Sequence, residues 1–194
     1  KIVPTQLEFV DIAGLVRGAS KGEGLGNQFL ANIREVDAVI HVVRCFEGGD
    51  VTHVEGSVDP IRDIETVDTE LMLADLDGLE KRVNSAHKKA KLGDKESIEQ
   101  LKVMEPALAA LQAGKPVRTI IPMLPKDQME TLRQLQLLTS KPVLYVANVD
   151  EKDAAKGNAL SEKVAAHAKA EGTESVVIAA AIESEVAVLE SAEE

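Results

Sequence analysis

An acidic residue and a glycine stand three positions apart where an alternating apolar segment ends. Residues 7–11 form an alternating apolar run that ends in an acid, which predicts a strand, and Gly14 follows Asp11 at the start of a glycine-dense loop. In nucleotide hydrolases with a parallel sheet, such an acid holds the magnesium shell through water, and such a glycine lets a backbone N–H approach the terminal phosphate. A strand followed by an acid and a glycine is also common in α/β proteins that lack this chemistry.

A second group of candidate residues follows two later β-rich segments. Asn148 ends one of them, and Glu151 lies three residues further on. An asparagine at a strand end can fix neighbouring loops and face the edge of a base, and an acid can accept hydrogen bonds from base donors. A simple turn at Asn148 is the alternative interpretation. Small residues that would let backbone amides approach the same base end the next segment: Ala179, Ala180 and Ala181.

The elements that must position these residues alternate between strands and helices. The β-rich segments are residues 7–11, 38–43, 142–147 and 175–179, and the helical segments between and after them are residues 24–34, 127–137, 159–170 and 183 onward. Asp127 and Glu130 have capping-box spacing at the start of the second of these helices. This alternation predicts an α/β fold with a mostly parallel sheet, at whose carboxyl edge ligands bind.

A different pattern separates the two halves of the sheet. Asp59 is a candidate N-cap with Pro60 at the first helical position, and an apolar stripe then continues to residue 90. A turn at residues 91–95 leads to a second stripe that ends before Gly114. We therefore predict an antiparallel helical arm, residues 64–116, inserted into a sheet domain formed by residues 1–63 and 117–194. Its longer helix is expected to reach ~45 Å.

The tip of this arm is basic although the chain as a whole is acidic. The net charge of the chain is −11, whereas residues 81–95 contain six Lys or Arg residues and one acid. One interpretation is contact with a polyanion, and the other is a solvated helix end whose lysines complement the helix dipole. The candidate partner-binding lysines are Lys88, Lys89, Lys91 and Lys95.

Composition excludes several classes of protein. No apolar run approaches the ~18 residues that cross a bilayer, so no membrane association is expected. Aromatic residues make up 2% of the chain, and with the negative charge this argues against a dedicated DNA or single-strand binder. Cys45 cannot form an internal disulfide, which suits a reducing cytoplasm, and core packing explains it better than a catalytic pair with His41. The four histidines show no metal-ligand spacing.

Four ordered motifs together identify a family resemblance. They are D-I-A-G-L-V at 11–16, G-A-S-K-G-E-G-L-G-N-Q-F-L at 18–30, H-V-V-R-C-F at 41–46 and H-V-E-G-S-V-D-P at 53–60. These motifs resemble the YchF group, the Obg-like ATPases of the P-loop GTPase class, and the resemblance covers about residues 4–185. It implies a P-loop-type parallel sheet with an inserted coiled-coil arm, and a ribosome-associated molecular switch that hydrolyses ATP and, less selectively, GTP in the cytoplasm.

The resemblance also assigns roles to individual residues. Asp11 and Gly14 match the element that binds magnesium and the γ-phosphate, and Leu15 stands where many relatives carry a water-orienting glutamine, so slow turnover is expected. Asn148, Val149 and Glu151 match the N-K-x-D base element, with Val149 in place of the lysine and Glu151 in place of the aspartate. In the family, this change goes with acceptance of adenine. The third base-loop element matches Ala179, Ala180 and Ala181. Mg²⁺ is the implied cofactor, a monovalent cation such as K⁺ is a second candidate, and rRNA is the partner expected at the arm tip.

Two family features do not occur in these 194 residues. The phosphate-binding loop G-x-x-x-x-G-K-[ST] is absent, and so is the C-terminal TGS domain of the family. We therefore expect that the chain is part of an ATPase and that by itself it binds nucleotide weakly or not at all and is inactive. The alternative is a non-catalytic interaction or ribosome-binding module whose sheet only anchors the arm.

Overall fold

The computed structural model describes residues 7–12, 25–48 and 58–190 of the chain. Short 3₁₀ segments connect the later elements, at Val117–Met123, Lys126–Gln128, Leu138–Ser140 and Glu151–Asp153. The helices and strands, in chain order, are α1 (Leu25–Glu35), β1 (Val39–Arg44), α2 (Pro60–Ala90), α3 (Lys95–Gln112), α4 (Met129–Leu135), β2 (Val143–Asn148), α5 (Ala159–Glu171), β3 (Glu174–Ile178) and α6 (Ala180–Glu190).

The described strands form a three-stranded parallel sheet in the order β1-β2-β3. Its register pairs His41 with Tyr145 and Val146 with Val176. The sheet packs against α2 and α5 through a core that includes Val43, Cys45, Ile64, Tyr145 and Val164. The prediction of an α/β fold with a parallel sheet is therefore confirmed.

The strand predicted at residues 7–11 is wrong, because residues 7–12 form no regular secondary structure. A strand is stabilised by backbone hydrogen bonds to a neighbouring strand, and each ladder within the described residues joins two of β1, β2 and β3. Leu7 and Phe9 are 75% and 71% exposed, so their alternation does not bury one face. Ile12 is the anchor of the segment, since it packs against the cluster that contains Leu30 and Ile33 of α1.

Helix α2 begins as predicted at Asp59 and Pro60. The Asp59 carboxylate accepts hydrogen bonds from the backbone N–H groups of Ile61 and Arg62, at 3.2 and 3.3 Å, and Pro60 needs no partner for a backbone N–H at this position. The helix is 31 residues long, which at 1.5 Å per residue is about 46 Å.

Helix α2 passes through all three hydrophobic clusters of the molecule's described part. Ile64 lies in the core of the sheet, Leu71 packs with α1, and Leu79 and Val83 belong to the arm. Its first turns are therefore part of the sheet domain, and only the later turns project from it. The predicted domain limits at residues 63/64 and 116/117 stay a prediction.

The arm is an antiparallel pair of helices with a third layer packed on it. The predicted stripe on α2 is buried at Leu79, Val83 and Ala86. Helix α3 buries a wider face than predicted, including Val103 and Ala107, whereas Ile98 is 41% exposed. The reason is that the segment after α3 folds back onto the arm and packs its own apolar residues against it: Val117, Leu132, Leu135 and Leu137.

The helix predicted at residues 127–137 is shorter and lacks its capping box. Residues Lys126–Gln128 form a 3₁₀ turn, and α4 begins at Met129 without a side-chain cap. Gln136 ends α4 in the left-handed conformation, at φ 51°. The backbone at Pro125 is extended, at ψ 148°, and the turn that follows it is 3₁₀, so the α-helix starts past Asp127.

A buried ionic cluster joins the base of the arm to the sheet. The Arg118 guanidinium lies 2.7 Å from the Asp68 carboxylate on α2 and 3.0 Å from the Glu171 carboxylate on α5. The Tyr145 hydroxyl on β2 donates a hydrogen bond to Glu171 at 2.9 Å. The imidazole of His41 on β1 packs beside the Tyr145 ring, and burial together with the Arg118 charge lowers its pKa to about 4.

Candidate functional site

The three strands end at one edge of the sheet, where the predicted base-loop residues lie. The register places Arg44 beside Asn148, and Asn148 beside Ile178. Two backbone hydrogen bonds extend this alignment past the strands, from Cys45 N–H to the Asn148 carbonyl at 2.7 Å and from Val149 N–H to the Ile178 carbonyl at 2.8 Å. The loops after all three strands therefore lie at the same carboxyl edge.

Asn148 connects two of these loops directly. Its side-chain oxygen Oδ1 accepts a hydrogen bond from the backbone N–H of Ala180, at 3.0 Å. Ala180 is the first residue of α6, so this bond also satisfies one of the free N–H groups at a helix start. The structure thus brings together Asn148 and Ala180, which the sequence placed 32 positions apart.

The remaining predicted base-loop residues divide into buried and exposed ones. Val149 and Ala179 are each 3% exposed and pack in the core of the sheet, so their side chains support the edge from beneath. Glu151 is exposed at the start of the turn Glu151–Asp153, and Ala180 and Ala181 are exposed in the first turn of α6. A ligand at this edge would therefore meet the Glu151 carboxylate and the small residues of α6.

The segment after β1 is held against the same edge. The Arg44 side chain donates hydrogen bonds to the carbonyls of Phe46 and Gly48, and its guanidinium stacks 4.5 Å from the centre of the Phe46 ring. Cys45 is fully buried, and burial raises the pKa of its thiol to about 11. Cys45 is therefore a core residue, as the sequence predicted.

Asn158, the N-cap of α5, holds the loops after β1 and β2 together. Its side-chain oxygen accepts from the N–H groups of Leu160 and Ser161, each at 3.0 Å, while its Nδ2 donates to the Cys45 carbonyl at 2.7 Å and to the Asp153 carboxylate at 3.0 Å. A cavity of about 240 Å³ lies beside this contact, lined by residues that include Phe46, Glu47, Asp150 and Asp153.

Sequence reasoning missed Asn158, although part of its role had a local signal. An asparagine directly before an apolar helical run, with Ser161 three residues later, is typical of a helix N-cap. The contacts to Cys45 and Asp153 had no such signal, because they depend on how separate strands are aligned.

The predicted phosphate-side residues are only partly within the described structure. Asp11 is exposed and adjoins Ile12, which packs with the α1 cluster, whereas Val149 packs in the sheet core. Gly14 and Leu15 lie outside the described residues. Within the ranges that the structure describes, no three His, Cys, Asp or Glu side chains are grouped as metal ligands.

The four candidate lysines lie at the far end of the arm. Lys88, Lys89, Lys91 and Lys95 are all exposed around the turn between α2 and α3. Lys89 lies about 37 Å along the α2 axis from Ile64 in the sheet core, at 1.5 Å per residue. The four lysines therefore form a surface separate from the carboxyl edge of the sheet.

A groove of about 380 Å³ runs beside the arm tip, between α2, α3 and α4. Two cationic side chains, Arg82 and Lys89, line it together with hydroxyl and amide groups, and its lining contains no acidic residue. The Arg82 guanidinium also donates to the Leu135 carbonyl at 2.7 Å, which fixes α4 against the arm.

In the part of the chain covered by the structure, no helix combines the length and apolar character needed to span a membrane.

Comparison with known proteins gives consistent matches. A family model described as "50S ribosome-binding GTPase" matches residues 1–67. The chain is 50% identical over 193 residues to the ribosome-binding ATPase YchF of Haemophilus influenzae, and 49% identical over 195 residues to that of Bacillus subtilis. These alignments cover 100% of this chain but 52% and 53% of the relatives, so the chain spans about half the length of the curated relatives it matches.

A solved structure agrees with the sequence matches. The Schizosaccharomyces pombe YchF GTPase superimposes with a TM-score of 0.72 at 34% sequence identity, over 89% of this chain and 47% of the other. Its match covers most of this chain and supports the α/β fold.

Proposed function

Because this chain belongs to the YchF group of Obg-like ATPases, we propose that it contributes the base-binding loops and the helical arm of a ribosome-associated ATP-hydrolysing switch in the cytoplasm. Two relatives that match the whole chain are named ribosome-binding ATPases, and the similar solved structure is named a GTPase. The observation that carries the proposal is the hydrogen bond from Ala180 N–H to Asn148 Oδ1, which joins two candidate base loops at the carboxyl edge.

Base binding in this proposal uses Asn148, Val149 and Glu151 together with the small residues at 179–181. Glu151 takes the place of the aspartate of the N-K-x-D element, and its longer side chain no longer pairs squarely with the two guanine donors. Loss of that paired contact reduces discrimination against adenine. ATP is therefore the expected substrate, with GTP accepted less selectively.

The phosphate side of the site would involve Asp11, Gly14 and Leu15. Mg²⁺ retains several waters and takes one or two protein carboxylates besides phosphate oxygens, so the single exposed carboxylate of Asp11 fits it. Bound Mg²⁺ would neutralise charge on the phosphates. Leu15 has no hydrogen-bonding side-chain atom to orient water, so slow hydrolysis is expected. A monovalent cation such as K⁺ stays a prediction from the family resemblance.

The direct test is calorimetry of ATP and GTP binding in the presence of magnesium. It uses the chain as printed and the longest product of its gene, including any G-x-x-x-x-G-K-[ST] loop that the gene encodes. Binding with ATP favoured supports the switch, and binding by the longer form alone supports the expectation that these residues need that loop. If neither form binds, the non-catalytic interaction module replaces the switch as the function.

We further propose that the arm tip contacts rRNA through Lys88, Lys89, Lys91 and Lys95. Their exposure and the adjacent donor-lined groove with Arg82 support this, since phosphate groups attract cations and accept hydrogen bonds. Replacing all four lysines with glutamate should reduce co-sedimentation with ribosomes at least about tenfold, and the loss should shrink as salt rises.

A matched control makes the same charge change elsewhere. Lys126, Lys156, Lys163 and Lys169 are exposed and lie outside the arm tip, so their replacement with glutamate should leave most of the ribosome binding intact. If both variants lost ribosome binding equally, the loss would be explained by net charge alone. If the tip variant lost none, the arm tip would not be the contact surface.

A further inference from the structure

We propose that Asn158 is a positioning residue that fixes the loop between β2 and α5 and so helps to set base selectivity. This inference rests on the proposed function, because that loop carries Glu151. Asn158 itself caps helix α5 and contacts the loop at Asp153. In this inference it acts on a bound base only through Glu151.

Both the oxygen and the nitrogen of the Asn158 side chain form hydrogen bonds within the fold. Its oxygen accepts the two helix N–H bonds, and its Nδ2 donates to the Cys45 carbonyl and the Asp153 carboxylate. Its backbone N–H donates to the Ser161 Oγ at 2.8 Å, which completes a capping box. One residue therefore joins the end of β1, the loop after β2 and the start of α5.

Asp153 passes this constraint on to Glu151. The Asp153 carbonyl accepts from Gly157 N–H at 2.7 Å, and the Asp153 N–H donates to the Asp150 carbonyl at 2.9 Å. The Ala154 N–H donates to the Glu151 carbonyl at 3.2 Å. With Asp153 tied to Asn158 at one end and to this turn at the other, the backbone at Glu151 is held in one conformation.

The residue before Asn158 also has to be a glycine. Gly157 has φ +73°, a conformation that L side chains rarely adopt, and a Cβ there would lie 2.5 Å from Ser161 Oγ. A side chain at position 157 would therefore be strained and would displace the Ser161 hydroxyl from the capping box. Glycine lets the chain enter α5 along the path that brings Asn158 within reach of the Cys45 carbonyl.

The choice of asparagine is explained by the loop contact and not by the cap. Aspartate is as good an N-cap as asparagine, because both offer a side-chain oxygen to the helix N–H groups. Only the amide adds N–H donors, and the two acceptors that it meets are a carbonyl and a carboxylate. A carboxylate at position 158 would face both of them without a donor.

The test compares Asn158→Asp with the reciprocal pair Asn158→Asp/Asp153→Asn in the longest product of the gene. Amide hydrogen exchange should speed up at residues 150–157 in the single variant and stay unchanged at residues 162–170, because the cap is retained. ATP should bind about tenfold more weakly, the effect of losing one charge-assisted hydrogen bond, and the ratio of ATP to GTP affinity should change. The reciprocal pair restores a donor between residues 153 and 158 but not to the Cys45 carbonyl, so it should recover part of both losses.

Two further variants separate this role from a merely structural one. Ser161→Ala removes one side of the capping box but leaves both Nδ2 contacts, so it should lower thermal stability without changing the ratio of ATP to GTP affinity. Asn158→Ser keeps a cap, and its short hydroxyl replaces the two amide donors without adding charge. It should reproduce the faster loop exchange even if Asn158→Asp folds poorly.

The outcomes distinguish this inference from the proposed function. If the wild-type protein binds no nucleotide, the proposed function fails, and this inference fails with it as far as selectivity is concerned, although the exchange data still measure the loop contact. If the wild-type protein binds ATP but Asn158→Asp and Asn158→Ser leave loop exchange and the affinity ratio unchanged, only the positioning role is overturned.

Discussion

Asp75 is a fully buried carboxylate that joins α2 to the turn before β2. It accepts hydrogen bonds from the backbone N–H groups of Leu138 and Thr139, at 2.9 and 2.8 Å, and from the Thr139 hydroxyl at 2.8 Å. The Thr139 Oγ in turn accepts from Val117 N–H at 3.2 Å. Burial raises the pKa of Asp75, because the charged form loses its hydration.

Replacing Asp75 with Asn should lower the free energy of unfolding by about 1–3 kcal/mol. The amide has one acceptor oxygen where the carboxylate has two, so one buried N–H is left without an acceptor. Urea denaturation measures the difference. Asp77→Asn is the matched control, since its exposed pair with Lys81 contributes at most about 1 kcal/mol.

The pH dependence of this difference follows from the raised pKa of Asp75. Between its ordinary value of 3.8 and its higher value in the folded protein, the folded state binds more protons than the unfolded state. The contribution of Asp75 to stability is therefore fully present below 3.8 and declines as the pH rises through the folded value. The Asn variant lacks this decline, so its loss of stability should be larger below 3.8 than the loss of about 1–3 kcal/mol expected at neutral pH, and a loss that does not change with pH would contradict the assignment.

At the scale of elements, Gly78 makes helix α2 less stable than an alanine would at the same position. The residue lies in the helix interior, and a Cβ built there would meet nothing within 4 Å. Glycine in a helix interior is less favourable than alanine because it loses more backbone freedom on folding. Gly78→Ala should therefore raise the free energy of unfolding by about 0.5–1 kcal/mol, measured by urea denaturation.

Gly114 provides the opposite control with the same substitution. A Cβ there would also meet nothing within 4 Å, but its φ is +69°. The two sites differ in backbone conformation and not in available space, so Gly114→Ala should destabilise the protein by about 1–2 kcal/mol. If both substitutions shifted stability in the same direction, the explanation from backbone conformation would be wrong.

The elements that the sequence predicted well are those whose signals are local. The N-cap Asp59, Pro60 and the apolar stripe that follows lie within the α2 segment itself, so its start and its end at residue 90 were both predicted. The segment at residues 7–11 also has a local apolar pattern that favours a strand, but a strand needs a neighbouring strand as well, which no local pattern supplies. The extra burial of α3 at Val103 and Ala107 likewise depends on a segment that packs from further along the chain.

At the scale of the whole molecule, topology made the candidate site partly predictable. Parallel strands bring their carboxyl ends together, so Asn148 and Ala180 could be assigned to one edge from strand order alone. Which of these residues are exposed could not be predicted, and Val149 proves to be a core residue. Side-chain contacts between distant elements had no sequence signal, as for Asn158 with Cys45 and for Arg118 with Asp68 and Glu171.

The Arg118 cluster is where the arm, the sheet and α5 meet, so its loss should affect the whole molecule. Arg118→Ala leaves the carboxylates of Asp68 and Glu171, both largely buried, without their cation, which should lower the free energy of unfolding by about 3 kcal/mol. Amide hydrogen exchange should speed up in α2 and α5 together, because Arg118 joins these two helices through Asp68 and Glu171. Arg133→Ala is the control, since its pair with Glu130 is exposed and should contribute less than about 1 kcal/mol.

Neutralising the whole cluster distinguishes an ionic role of Arg118 from simple packing. In the triple variant Arg118→Met, Asp68→Asn and Glu171→Gln, no buried charge of the cluster lacks a partner, so most of the stability lost in Arg118→Ala should return. If the triple variant is as unstable as Arg118→Ala, the cluster stabilises the arm through its shape alone. Recovery would show that α2 and α5 keep their arrangement without the ions, and that the penalty in Arg118→Ala comes from the two carboxylates left unpaired between them.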